Sequence, residues 1–218
     1  MTSAGGHGSS AVVVRFLQDF TSLTTGLLHA ITHHEYIEID ATNVLNTTFL
    51  DQTAAIGKMV VSAVRSVSPT MKIWAGEIGP HNGAGSPRLY PNCADNKVCG
   101  RFGSALWYAD SMCSKAKVGY GAFFRQDFIG ADYGLLNYSS YAPSPDYWTL
   151  VLWRRVVGSA VIDVTLQSSA PAVRVYGFCA TRTGSMTLVF LNLSPTEAVC
   201  VSPPEIAQPT ARTQVLSL

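Results

Sequence analysis

Two hydrophobic periods alternate along most of the chain. Residues 9–23 ("SSAVVVRFLQDFTSL") place apolar side chains three and four apart behind a serine, which predicts a helix with an N-cap. Residues 50–68 and 101–117 repeat the helical spacing, and 143–158 ("PSPDYWTLVLWRRVVG") does so behind a Pro-Asp start. Between them, 29–39 ("HAITHHEYIEI"), 71–77 ("MKIWAGE") and 120–130 ("YGAFFRQDFIG") read as strands, and 78–98 is a Gly/Pro/Asn-rich loop without a period.

Helix and strand alternating three times predicts a parallel α/β layer. Beyond residue 157 the pattern changes to β-branched runs at 160–167, 172–181 and 185–194, separated by turn residues, as in antiparallel sheet. The sequence therefore divides into an α/β portion, 1–157, and a β portion, 158–218, the latter ending in a Pro-rich stretch expected to be loosely held. Three strand-helix units are too few to close an eight-stranded barrel, and three β-runs are thin for a sandwich, so each portion reads as part of a larger domain.

Composition narrows the function classes. Of 218 residues, 47% are hydrophobic and only 13% charged, which excludes a disordered chain. A net charge of +1 offers no field for nucleic acid or another polyanion, and Arg154-Arg155 reads as one solvated helix face. No apolar run is long enough to span a membrane. The five cysteines and five histidines show no zinc-type spacing, and no cofactor motif is present. Cys93 and Cys99 flank a polar loop and are candidates for a local disulfide; Cys179 and Cys200 are further candidates. Three sequons, at Asn46, Asn137 and Asn192, lean towards a secreted or lumenal protein, although the first residues do not read as a signal peptide.

Charge is scarce enough that polar residues at strand ends stand out. Glu77 ends the apolar "KIWAG"; His33, His34, Glu35 and Tyr36 end the first strand; Arg125, Gln126 and Asp127 end the third. In barrels of this kind the carboxyl ends of the strands carry the catalytic groups, so their convergence there marks a candidate site.

The segments "ITHHEY", "IWAGEIGPHNGAGSP", "FRQDFIGADYGLLN" and "SPDYWTLVLWRRVVG" together resemble glycoside hydrolase family 79, the heparanases and heparanase-like β-glucuronidases, with the closest likeness to plant-type members. The resemblance spans roughly residues 15–195 and implies a (β/α)8 barrel, here its last three strand units, followed by part of a β-sandwich. It implies a retaining glucuronidase acting on a glucuronic-acid-containing glycan or glucuronide, without cofactor or metal, with Glu77 as nucleophile at the end of the seventh barrel strand. By the same resemblance, Asn82, Gly83 and Ala84 of "HNGAG" and Tyr133 bind the sugar carboxylate. His34 or Tyr36 orients the nucleophile, and Arg125 and Gln126 support the pocket floor. Asp132 stands where the family has asparagine, and Asp127 replaces an uncharged residue and is a candidate ion-pair partner for Arg125. Cys179 matches a family cysteine whose usual partner lies beyond this chain, leaving Cys200 as a substitute.

The family's acid/base is a glutamate in an Asn-Glu pair on the fourth barrel strand, and no such pair occurs here. The acids left at strand ends are Glu35 and Asp127. The expectation is a chain carrying half of a two-carboxylate site, completed by an N-terminal barrel segment and, made alone, inactive and poorly folded. The parent protein is then expected in an extracellular, lysosomal or vacuole-like location, with membrane association an option. An alternative is a non-catalytic glycan-binding or structural remnant of the same fold; a heparan-binding protein is disfavoured by the missing basic cluster.

Overall fold

A computed structural model describes residues 10–81, 98–130, 133–167, 170–182 and 184–201. In chain order the elements are α1 (Ser10–Thr24), β1 (Ala30–Tyr36), α2 (Thr47–Arg65), β2 (Lys72–Gly79), α3 (Phe102–Val118), β3 (Ala122–Arg125), α4 (Pro145–Val156), β4 (Val157–Ile162), β5 (Val173–Ala180) and β6 (Met186–Asn192).

β1, β2 and β3 form a parallel sheet in that order. Each crossover is a helix, so Ile31, Ile73, Ala75 and Ile78 are buried under Leu50, Val60 and Val64 of α2 and Trp107, Tyr108 and Met112 of α3. The opposite face is open among the described residues: Thr32 is exposed, Trp74 and Phe124 lie 5.9 Å apart between ring centroids, and Phe124 is 49% exposed. α1 also presents an uncovered apolar stripe, Val12, Phe16, Phe20 and Leu23.

β4, β5 and β6 form an antiparallel sheet with β5 in the centre. Tyr176 and Phe178 of β5 and Leu191 of β6 pack on Ala109 and Cys113 of α3. α3 is therefore the common core helix, buried at every residue from Trp107 to Lys115. Arg174 of β5 fastens the two layers: it donates to the Thr47 carbonyl (2.5 Å) and Asp51 (2.8 Å), while Tyr176 donates to Asp110 of α3 (2.6 Å). The result is a mixed α/β structure of one parallel and one antiparallel three-stranded sheet, an arrangement compatible with part of a (β/α)8 barrel.

Some sequence expectations shift. The third strand ends at Arg125 instead of continuing to 130, because the chain turns there into a loop held by Leu135 and Leu136 amides on the Asp127 and Phe128 carbonyls, 3.0 and 2.9 Å. The first β-run begins at Val157, directly from the helix, and stops at Ile162. Cys99 is disulfide-bonded, and its expected partner Cys93 lies outside the described residues. Cys179 and Cys200 are both free and exposed, so the pairing that the sequence left open between them is not made.

Candidate functional site

Side chains alternate faces along β1: Ile31, Glu35 and Ile37 point to the helices, and Thr32, His34 and Tyr36 to the open face. β2 starts with the same rule, Ile73 and Ala75 inward and Trp74 outward. Strict alternation would turn Glu77 inward as well. The register shows why it does not: His33 pairs with Ala75 and His34 with Glu77, so β2 spends one extra residue, Gly76, against β1. The same extra residue appears against β3, where Phe123 meets Ala75 and Arg125 meets Ile78. A bulge of this kind re-aims the next side chain. Here it turns Glu77 outward and returns Ile78 to the core.

Glycine is required at the bulge because the strands approach closely. A Cβ on Gly76 would stand 2.8 Å from the Thr32 Cβ. Three residues on, any Cβ at Gly79 would overlap the Tyr36 ring, which lies across the β2 backbone.

Glu77 is thus presented at the carboxyl end of β2 with its side chain 31% exposed. The Tyr36 hydroxyl donates to Glu77 Oε1, and His34 Nδ1 stands 3.5 Å from Oε2. Tyr133, buried against Tyr36 and Cys99, hydrogen-bonds the Tyr36 hydroxyl through its own. Burial and the Glu77 carboxylate push the Tyr36 phenol well above its ordinary range. Burial likewise raises Tyr133. Both hydroxyls therefore remain protonated donors at neutral pH, and a carboxylate that accepts from such a donor is held in place for attack or for binding a cation-like centre.

Tyr133 owes its place to Arg125. The guanidinium donates to the Tyr133 carbonyl (2.9 Å), stacks 5.3 Å from its ring, and donates to the carbonyl of Gln126. Its ion-pair partner is Asp146, in the first turn of α4, at 2.8 Å, with side chains 2% and 0% exposed. The expected partner, Asp127, does not make that pair; its carboxylate lies by Gly130. Asp146 sits nineteen positions beyond Asp127 but at the N-terminus of a helix that packs under β3, where the helix dipole also favours an acid. Arg125 accordingly supports the site from below, and Gln126 continues the strand's hydrogen bonding through its amide to Ile78 O, 2.9 Å.

The other strand-end acid is also accounted for. Glu35 faces away from Glu77 and pairs with Lys115 of α3 at 2.5 Å, both buried. Beside it, His33 Nδ1 donates to the His34 carbonyl (3.3 Å), so its Nε2 accepts from the Tyr120 hydroxyl (2.5 Å). Burial, and next the Lys115 charge, hold His33 down at about 4, which keeps it neutral in this arrangement. Among the described residues no group of three metal-ligating side chains occurs.

Of the sequence-derived site residues, the structure brings together Glu77, His34, Tyr36 and Tyr133, with Arg125 beneath. Asn82, Gly83 and Ala84 lie outside the described residues. Asn46 caps α2 by accepting from the Phe49 amide (3.1 Å), and Asn137 accepts from the Ser139 and Ser140 amides (3.0 and 2.9 Å) at an exposed turn. Asn192 donates to the Glu197 carbonyl, 2.7 Å. Sequence reasoning missed Gly76, Gly79, Lys115 and Asp146. Gly76 alone left a signal, since a glycine within a strand marks a bulge or a close approach.

Comparison with known proteins bears on what this geometry serves. No family model matches the chain. Heparanase-like protein 3 of Arabidopsis thaliana is 27% identical over 192 residues, 85% of this chain and 34% of that protein. Baicalin-beta-D-glucuronidase of Scutellaria baicalensis is 29% identical over 182 residues, 80% and 33% of the two. Heparanase of Gallus gallus is 31% identical over 172 residues, 74% and 31%. The chain thus spans about a third of the length of the curated relatives it matches. Over that third, the chain is similar to heparanase and heparanase-like proteins, the family whose motifs its sequence resembles.

Proposed function

We propose that this chain carries the nucleophile side of a retaining β-glucuronidase site. The observation that carries the reading is the aim of Glu77: a bulge turns it to the open face of a parallel sheet, at the carboxyl end of its strand, where a phenol and an imidazole hold it. A retaining mechanism needs such a carboxylate beneath the anomeric carbon and a second carboxyl about 5–5.5 Å away to protonate the leaving oxygen. Glu35 cannot serve, being buried on the far side of the strand.

In this reading residues 1–157 are part of a (β/α)8 barrel and 158–218 part of a β-sandwich, and an N-terminal barrel segment brings the acid/base. That segment would cover Trp74, Phe124 and the α1 stripe, surfaces that are costly to leave in water. Tyr133, with the glycine-rich stretch "NGAG" that begins at Asn82, then receives the sugar's carboxylate. The names of the relatives support glucuronides or heparan-type glycans as substrates. A secreted or lumenal parent suits the disulfide at Cys99.

The test is turnover of a chromogenic glucuronide. The 218-residue chain alone is expected to release no glucuronic acid, since loss of acid catalysis by itself costs about 10²–10⁴-fold. A polypeptide that adds the acid/base segment is expected to turn over, and Glu77→Gln in it to abolish the reaction. Robust turnover by the chain alone, or an unchanged rate in Glu77→Gln, refutes the assignment.

A further inference from the structure

A buried ion pair lies directly behind the two residues that hold Glu77. Glu35 stands between His34 and Tyr36 on β1, and its partner Lys115 belongs to the last turn of α3. Their side chains are 4% and 0% exposed, and the pair is 2.5 Å long. The Lys115 ammonium also sits 5.7 Å from the centre of the Tyr120 ring, whose hydroxyl is bonded to His33. Three consecutive positions of β1 are thereby tied to the α3–β3 junction: His33 through Tyr120, His34 through the carbonyl that His33 holds, and Glu35 through Lys115.

Stability is a poor explanation for the pair. Desolvating two charges offsets most of their attraction, and well-packed apolar residues in their place are often neutral or better. The pair is not even fully satisfied, because Glu35 Oε2 is buried without a hydrogen-bond partner. What it does supply is register. A slip of one residue along a strand exchanges its faces. At the tip of β1 such a slip would turn Glu35 towards Glu77 and withdraw His34 and Tyr36. Only the present register lets Lys115 meet an acid inside the core.

We propose that Glu35 and Lys115 are positioning residues of the site, a buried electrostatic latch that fixes the tip of β1 so that Tyr36 and His34 meet Glu77. The latch acts through the backbone of β1 and touches no substrate. It extends the reading of Glu77 given above, but it is testable without any turnover.

The experiment labels the polypeptide that adds the acid/base segment with [4-¹³C]tyrosine and follows the Tyr36 Cζ signal, assigned by Tyr36→Phe, through an alkaline titration, alongside urea unfolding. In the wild type Tyr36 is expected to resist titration well above the ordinary phenol range, since burial and Glu77 hold it up. Lys115→Met leaves a buried unpaired carboxylate and is expected to lose stability and free Tyr36. The informative variant is Glu35→Leu with Lys115→Met, which leaves no buried charge. Its urea midpoint is expected within reach of the wild type, while Tyr36 titrates near the ordinary phenol range of about 10. A double variant in which Tyr36 still resists titration overturns the proposal and reduces the pair to a structural contact. Failure of the nucleophile assignment is read separately, from Glu77→Gln in the turnover assay.

Discussion

Replacing Gly76 by alanine tests whether the extra residue in β2 aims the carboxylate. In an ordinary strand interior the exchange is favourable by about 0.5–1 kcal/mol, because glycine loses more backbone freedom on folding. Here the added Cβ would stand 2.8 Å from the Thr32 Cβ and 3.1 Å from its Oγ1. The nearer atom is fixed to the β1 backbone, so no rotation of Thr32 relieves it, and one of the strands must move. Overpacking of that kind costs about 1–3 kcal/mol. At the middle of both ranges the clash outweighs the propensity gain, for a net loss of about 1 kcal/mol.

Urea unfolding followed by tryptophan fluorescence measures it, with Trp74 two residues away on the same strand. Thr32→Gly removes the obstructing atom, so the pair should couple: the double variant is expected to lose about 1 kcal/mol less than the sum of the singles. Gly76→Ala that is as stable as the wild type, or equally destabilising with Thr32→Gly, would show that the bulge tolerates a side chain and that glycine there is incidental.

Two further outcomes follow from the groups around the site. His33 is lowered from 6.5 to about 4, mainly by burial, so between those values the unfolded chain binds a proton that the folded chain does not. Stability then rises with pH across that window: the contribution is present above 6.5 and is lost as pH falls towards 4. Between pH 7 and pH 5 this amounts to about 2 kcal/mol, and His33→Gln should flatten the urea-midpoint profile by that amount relative to the wild type; parallel profiles would contradict it. Arg125→Met strands Asp146 in the core and is expected to cost about 3–5 kcal/mol in urea unfolding, whereas a loss under about 1 kcal/mol would mean that Asp146 finds another partner.

The elements were legible because their periods are local. Apolar spacing located α1 to α4 and the three parallel strands within a few residues, and the alternation of Ile31, Glu35 and Ile37 along β1 already implies that Glu35 faces the core. Long-range partners were not legible. Nothing near Arg125 in sequence distinguishes Asp127 from Asp146, and only the packing of α4 under β3 chooses between them. The start of β4 was misplaced for a related reason: Gly158 read as the end of the preceding helix, whereas a Cβ on Gly158 would meet the carbonyls of Cys179 and Ala180 at 2.6 and 2.8 Å, so the glycine serves strand approach.

The two strand-tip glutamates show how little separates a chemical acid from a structural one. Glu35 and Glu77 occupy the ends of adjacent parallel strands, in apolar surroundings, and composition gives no ground for ranking them. Their faces decide. β1 keeps its alternation, so Glu35 goes inward, where only a buried lysine makes the charge tolerable. β2 breaks its alternation at Gly76, so Glu77 goes outward to the hydroxyl of Tyr36 and the ring of His34. Without the bulge Glu77 would share the inner face with Ile73 and Ala75 and would need a cation of its own. The glycine before the carboxylate therefore carries as much functional information as the carboxylate, since it selects which face of the sheet the acid serves.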